Sequence, residues 1–367
     1  MRSFFEQSIY HIYTYIEYKS GYVVTKAKAM ERKIMSLGKS SLVISLPKEW
    51  MQLNELKKGD AISYSIQRDR ALIIYPSTNK KTVATEITLN VGQNEEDALI
   101  TQKIIGSFLN GYSGITLVSE KIFSIQQTKA IRSIAGKLYM RVMESDTKGV
   151  YIQSLTDESK ASLEQAIQRM HLISHSMCAD AITSLRERDI ALAKTVYALH
   201  DDVDHFSFFI IRLIRDAAQN PLLANELRLD PLDCLDYQSL VYSIERAADY
   251  AADITRHIIM LEGRQQTIPN DVLELMVTAG NEAVDMYVKS VTAFFSKDIP
   301  FSVELMKRQK RIEKLDIEIT SKAFTGEQKT AELVCALCSI RDNIKKIAES
   351  AVNIAEIAVN RAFKSST

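Results

Sequence analysis

The sequence has no excess of either charge: 46 lysines and arginines stand against 46 aspartates and glutamates in 367 residues. Overall charge therefore names no partner, and a nucleic-acid contact would have to come from a local basic stretch. Cysteine is scarce. Four in the chain (Cys178, Cys234, Cys335, Cys338) exclude a secreted disulfide framework and point to a reducing, cytoplasmic setting. No apolar run reaches the roughly eighteen residues of a membrane span, and no basic segment leads into an apolar core with a small-residue cleavage site, so membrane insertion is not expected. A P-loop, a Gly-rich dinucleotide fingerprint and a nucleophile–base pair are also missing, and the chain is not read as an enzyme. The single tryptophan, Trp50, is read as a core anchor. What the chain does have is 46% hydrophobic residues, ample for the cores of two or three domains.

The most informative positive feature is a repeat about one hundred positions long. Leu240, Ile244, Ala247, Ala251, Ile254 and Ile258 follow one another at steps of four and three. Ile340, Ile344, Ile347, Ala351, Ile354 and Ala358 do the same, so both stretches read as helices with a coiled-coil-like seam. Away from the first seam, Glu245, Asp249, Asp253 and His257 stack at i, i+4. Asp249 lies about 200° around the helix from Ala247 and Ala251, and Asp201 and His205 lie likewise opposite Val203. Two acidic faces can thus meet, and like charges at that spacing repel unless a cation joins them. Carboxylates with an occasional imidazole suit Fe, Mn, Zn or Mg, whereas the bland alternative is a solvated outer face. The pair His171 and His175 lacks the glutamate of an HExxH site and reads as a packed or surface pair. Cys335 and Cys338 form a lone CxxC and read as buried thiols packing as small hydrophobes.

Composition divides the chain. Residues 1–29 are tyrosine-rich and match no period, and Met30 is the expected start of the chain proper. From Glu31 to Pro76 short alternating strands and turns follow: KIMSLG, SSLVISLPKEW, a turn at KKGD and a hairpin through AISYSIQ and LIIYP. Residues 83–156 read as an α+β connector, with helical spacing over Glu95–Asn110, a strand at GITLVS, a helix over Ser124–Leu138 and a strand at VYIQSL. From Asp157 onward the pattern is helical, with breaks near Arg188, Pro221, Pro231, Pro269, Pro300 and Gly326. These give six long helices in two groups of three.

The β segment, 30–82, resembles the swapped-hairpin DNA-binding domains of the AbrB/SpoVT class. The likeness rests on Arg32-Lys33, Gly38-Lys39-Ser40-Ser41, the run from Val43 to Trp50, and Leu56-Lys57-Lys58-Gly59-Asp60 before a last hairpin. Such units close only when two chains interleave, since one copy of about fifty residues has too little core to stand alone. The resemblance implies a homodimer and double-stranded DNA as partner, with Arg32, Lys33, Lys39, Ser40 and Lys48 as the contacting residues. Lys57, Lys58, Lys80 and Lys81 read as edge protection and solubility.

The helical half resembles the PhoU family, built from two three-helix repeats, here 157–265 and 266–367. Ile244-Glu245-Arg246-Ala247-Ala248-Asp249-Tyr250-Ala251-Ala252-Asp253-Ile254 follows the family's acidic helix motif, and Ile347 to Glu356 follows it in the second repeat with Lys345 at the first acidic position. HDDVDHFSFFI at His200–Ile210 corresponds to QKRIEKLDIEI at Gln309–Ile319, pairing Asp204 with Glu313 and Asp201 with Lys310. The resemblance implies a metal held in the first repeat by Glu245, Asp249, Asp253, Asp201 and Asp204, with His257, His205 and Glu349 as weaker candidates. In the second repeat Lys310 and Lys345 are expected to form salt bridges, with Glu313 or Glu349 as partners. With the β segment, the pattern resembles the archaeal PhoU type that carries a fused DNA-binding domain. It implies a cytoplasmic transcriptional regulator of phosphate uptake. The alternative is an adaptor that acts on the ATPase subunit of a phosphate transporter, with the β segment serving to dimerise.

Overall fold

A computed structural model of the chain describes residues 31–38, 41–66, 70–76, 85–154, 162–324 and 330–364. Lys39, Ser40, Arg68, Lys80, Lys81 and the 1–29 extension lie outside the described residues. Two units emerge: of the described residues, one takes those in 31–63 and 75–76, and the other those in 64–74 and from 85 onward.

In the first unit β1 (Met35–Leu37) pairs antiparallel with β2 (Ser41–Val43); β3 (Ile62–Ile66) and β4 (Leu72–Pro76), which pair with each other, fall mostly in the second unit. Gly38, at φ +70°, turns the chain out of β1, a conformation a side chain would strain. The run SSLVISLPKEW is not one strand. Pro47 holds an extended backbone ahead of α1 (Lys48–Leu53), which carries Glu49 in its first turn. No residue of α1 is buried, and Trp50 is only partly covered rather than a core anchor. Ile34, Leu42 and Leu53 are 71%, 72% and 84% exposed, so a single chain leaves this unit's apolar side chains in water.

The second unit also holds a four-stranded sheet of order β5-β6-β8-β7, formed by β5 (Glu86–Asn90), β6 (Gly114–Val118), β7 (Met140–Ser145) and β8 (Gly149–Ser154). β5 and β6 are parallel because α2 (Asp97–Leu109) crosses between them, and the β7–β8 hairpin closes the sheet antiparallel. α3 (Ile125–Lys137) starts at a reciprocal cap in which Ser124 Oγ accepts from Gln127 N and Gln127 Oε1 accepts from Ser124 N, both at 3.0 Å. Ile100, Ile104, Phe108, Ile115, Leu117, Ile131 and Ile152 form this module's core.

Six long helices follow: α4 (Leu163–Glu187), α5 (Ile190–Gln219), α7 (Pro231–Gly263), α8 (Asn270–Ser296), α9 (Ile299–Phe324) and α10 (Ala331–Ala362). The short α6 (Pro221–Glu226) bridges α5 and α7, capped by Asn220. Every seam residue of α7 and α10 is at most 6% exposed, and each buried isoleucine contributes about 1.5–3 kcal/mol. The duplication reaches the turns. Arg188 and Lys297, 109 positions apart, both end a helix in the left-handed region at φ 56°. Asp189 and Asp298, next in each chain, both cap the following helix by accepting from a backbone N–H three residues on, at 3.0 and 2.9 Å. Cys335 is exposed and Cys338 half-buried, contrary to the expected burial, because the seam of α10 runs through Leu333, Ala336, Leu337 and Ile340 instead. His171 and His175 do pack together, ring centroids 6.2 Å apart, with His171 Nδ1 3.3 Å from the hydroxyl of Tyr287 on α8.

Candidate metal centre of the first repeat

Helices α5 and α7 lie side by side, so the acidic row of α7 meets a polar row of α5 at positions 200, 204 and 207. His200 Nε2 lies 2.6 Å from Asp249 Oδ1 and 3.8 Å from Asp204 Oδ1. One turn and more along, Ser207 Oγ donates to Glu245 Oε2 at 2.8 Å. Ligating atoms of His200, Asp201 and Asp204 fall within 4.8 Å of one another. Asp201, on the outer side, receives Lys137 Nζ from the end of α3 at 2.5 Å, and the same ammonium is 3.6 Å from Asp204 Oδ2.

These contacts set the charges. The hydrogen bond to Asp249 raises the His200 pKa against burial, with Asp204 and Asp201 assisting. Burial pushes the Glu245 carboxyl up despite its bond from Ser207, and nearby Asp249 and Asp204 push the same way. Burial likewise raises Asp204, while His200 and Lys137 oppose it. Asp201 is lowered by its bond to Lys137. Burial opposes the Lys137 charge, but the Asp201 bond and the Asp201 and Asp204 charges outweigh it and raise that pKa.

Of the residues expected to bind metal, Asp201, Asp204, Glu245 and Asp249 are thus placed on two adjoining helices. Asp253 is engaged elsewhere. Its Oδ2 accepts from Asn343 Nδ2 of α10 at 2.6 Å, its Oδ1 accepts from Arg256, and its pKa is lowered by those bonds against burial. His257 is buried beside Asp253 and Arg256, with its pKa lowered chiefly by burial. His205 turns to the α+β module, its ring edge-on to Tyr139 at 5.6 Å. Glu349 remains on α10 of the second repeat, half-buried. Lys345 pairs not with Glu313 or Glu349 but with Asp316, at 3.7 Å, and Arg341 joins them at 3.1 Å.

His200, Ser207 and Lys137 join the site although no motif singles them out. The spacing 200, 204, 207 is an i, i+4, i+7 face and is open to reading; Lys137, 64 positions from Asp201, leaves no local signal. His200, Asp201 and Asp204 bring one imidazole and two carboxylates within 4.8 Å of one another, a donor set suited to a borderline or hard cation, and a lysine ammonium already pairs with both carboxylates. The residues present fit such an ion.

In the N-terminal unit Arg32, Lys33 and Lys48 are exposed, the last opening α1. No described helix is long and apolar enough to cross a membrane.

Parts of this chain are similar to known proteins. The PhoU domain model matches residues 167–258 and again 276–358, the two helical repeats, and the model described as "Antidote-toxin recognition MazE, bacterial antitoxin" matches residues 36–82. "Phosphate-specific transport system accessory protein PhoU homolog" proteins from two strains of Caulobacter vibrioides are 24% identical over 204 residues, covering 54% of this chain and 86% of theirs. The crystal structure of PhoU from Pseudomonas aeruginosa is similar at TM-score 0.47 and 19% identity, covering 54% of this chain and 93% of that one. That of the phosphate transport system regulatory protein PhoU from Streptococcus pneumoniae has TM-score 0.47 and 15% identity, covering 56% and 95%. The helical half is thus similar to two copies of the PhoU domain, and a segment similar to the MazE-type model lies ahead of it in sequence.

Proposed function

We propose that this chain is a DNA-binding regulator of phosphate uptake. In this reading the N-terminal unit dimerises to hold duplex DNA and the PhoU repeats sense phosphate status. The observation that carries the output side is the composition of the N-terminal surface. Its apolar residues Ile34, Leu42 and Leu53 stand in water in one chain, as half of an interleaved dimer requires, while Arg32, Lys33 and Lys48 are exposed and available to phosphates. Lys39 and Ser40 belong to the same proposed contact by sequence. The link to phosphate uptake comes from the relatives, whose names place them with phosphate-specific transport. A regulatory rather than catalytic role follows from the same kinship.

In the first repeat, Asp204, Asp249, Glu245, Asp201 and His200 would hold an Fe, Mn, Zn or Mg ion. Such an ion would supply positive charge that holds α5 and α7 together. His200 is positioned for this by Asp249, and Ser207 fixes the Glu245 carboxylate.

A second reading, favoured by the relatives' description as transport accessory proteins, is an adaptor that acts on the transporter's ATPase subunit. Transcript levels of the phosphate-uptake genes separate the two. In cells whose sole copy carries Arg32→Ala, Lys33→Ala and Lys48→Ala, the regulator reading expects those transcripts to lose their response to phosphate. Transcripts that respond as in wild type, from protein at normal abundance, would favour the adaptor.

A further inference from the structure

Lys137 enters the acid cluster from outside the bundle. It ends α3, and its ammonium reaches across to Asp201 and Asp204 on α5. The charge is one unit on three donors, so it neutralises the carboxylates only in part and cannot coordinate them as a metal does. Its presence in the same carboxylate space means that a second cation arriving there meets direct repulsion at short range. Lys137 also has somewhere to go. A cavity of about 280 Å³ opens beside it, lined by Thr101, Ile105, Ala130, Ser133 and Phe208 together with Asp204, between α2, α3 and α5.

We propose that Lys137 is a tethered counter-ion which a metal has to displace, so that metal occupancy of the first repeat is coupled to release of the α3 end of the α+β module. The inference rests on the metal reading given above. The two ends of the module are held differently. At the far end Arg212 donates to the carbonyls of Phe108 and Tyr112 at 2.9 and 2.8 Å, and Arg215 donates to that of Leu109 at 2.8 Å, so the C-terminus of α2 stays docked. At the near end the charged tie is Lys137, supported by Tyr139 against His205 and Phe209. Displacing the ammonium frees α3 and the start of β7 to move while α2 remains a pivot. The second repeat has the opposite arrangement: Lys345 and Arg341 neutralise Asp316 from the neighbouring helix α10 itself, with no module to release. Linkage makes the coupling reciprocal: whatever weakens the lysine tie strengthens the metal, and the metal weakens the tie.

The test titrates Mn²⁺ into the full chain by calorimetry, comparing wild type, Lys137→Met, Lys137→Arg and Asp249→Ala, with hydrogen exchange read over residues 125–145. The expected result is at least tenfold tighter Mn²⁺ binding by Lys137→Met, wild-type affinity in Lys137→Arg, and faster exchange in 125–145 when Mn²⁺ is added to wild type. In Lys137→Met that exchange is already fast and does not respond to the ion. Affinity within twofold of wild type in Lys137→Met, with Asp249→Ala impaired, would overturn the lysine's role and leave the metal centre standing. Absence of Mn²⁺ binding in wild type and Lys137→Met alike would overturn both. Thermal melts of each variant establish that the bundle is folded, and the Lys137→Arg result separates loss of charge from loss of packing.

Discussion

Lys345 Nζ lies 3.7 Å from Asp316 Oδ2, and these two residues occupy the positions that in the first repeat hold Glu245 and Ser207. The same pair of helical sites thus carries an acid with a neutral donor in one copy and a built-in ion pair in the other. A carboxylate that already faces a lysine and an arginine on the adjoining helix has no need of a metal, whereas Glu245, Asp249 and Asp204 raise one another's energy when ionised.

Moving the second repeat's solution into the first tests that asymmetry. The double variant Ser207→Asp, Glu245→Lys should fold with its helical signal unchanged at a cost of about 1–3 kcal/mol, because Ser207 is 3% exposed and the new carboxylate is taken out of water to pair with the lysine. It should lose Mn²⁺ binding. Unchanged Mn²⁺ affinity in this variant would place the ion elsewhere.

His171 gives the helical core a pH dependence. Burial, with the charge of His175 adding to it, lowers its pKa from 6.5 to about 4. A depressed histidine favours the native state when neutral, so its contribution is complete above the unfolded pKa and is lost as pH falls from about 6.5 to about 4, amounting to about 3 kcal/mol at the end. Urea unfolding of wild type and His171→Phe across that range should show the wild type losing stability relative to the variant. Parallel curves would contradict the assignment.

The seam residues of α7 and α10 are legible in the sequence because six apolar positions at steps of four and three leave little choice but a buried helix face, and all of them are buried. The six residues of α1 are not, since a helix of under two turns shows no period and Ser41–Val43 leads into it as a strand. Cys335 and Cys338 depart from expectation for a related reason: the seam that is clear from Ile340 onward continues back through Leu337 and Leu333, which leaves the cysteines off it. At the candidate centre, Glu245 and Asp249 stand out through their spacing. Asp253 follows the same spacing, but a helix face spans more than one neighbour, and Asp253 meets α10 where Asp249 meets α5. Lys137 depends on how a separate module docks, which no local pattern records.

Arg212 holds that module to the bundle. It is 4% exposed, stacks over Phe108 at 4.5 Å and donates to the carbonyls that end α2. Arg212→Met keeps the apolar stem but leaves those carbonyls without the donor, at a cost of about 3 kcal/mol. Limited proteolysis should then cut within residues 85–154 at least tenfold faster than in wild type, with the helical repeats intact. Wild-type protection would show that the module is held by other means.

Gly280 on α8 packs directly against Ile182 of α4. A Cβ there would lie 2.5 Å from Ile182 Cδ1 and 2.9 Å from Cγ1. Gly280→Val should therefore destabilise by about 2 kcal/mol, and Ile182→Ala in the same chain should recover part of the loss even though each change alone is harmful. Chemical unfolding of the two single variants and the double measures that coupling; strict additivity would contradict the packing described.

DNA binding by the N-terminal unit is tested most directly with the full chain and duplex DNA taken from upstream of its own phosphate-uptake genes, measured between about 50 and 200 mM salt. Specific binding that weakens steeply as salt rises is the expected result. In Arg32→Ala, Lys33→Ala, Lys48→Ala the affinity should be at least tenfold lower and the salt slope shallower by about 0.9 for each phosphate no longer neutralised. No binding at the low-salt end, or binding that neither salt nor the triple variant alters, would contradict a DNA-binding role.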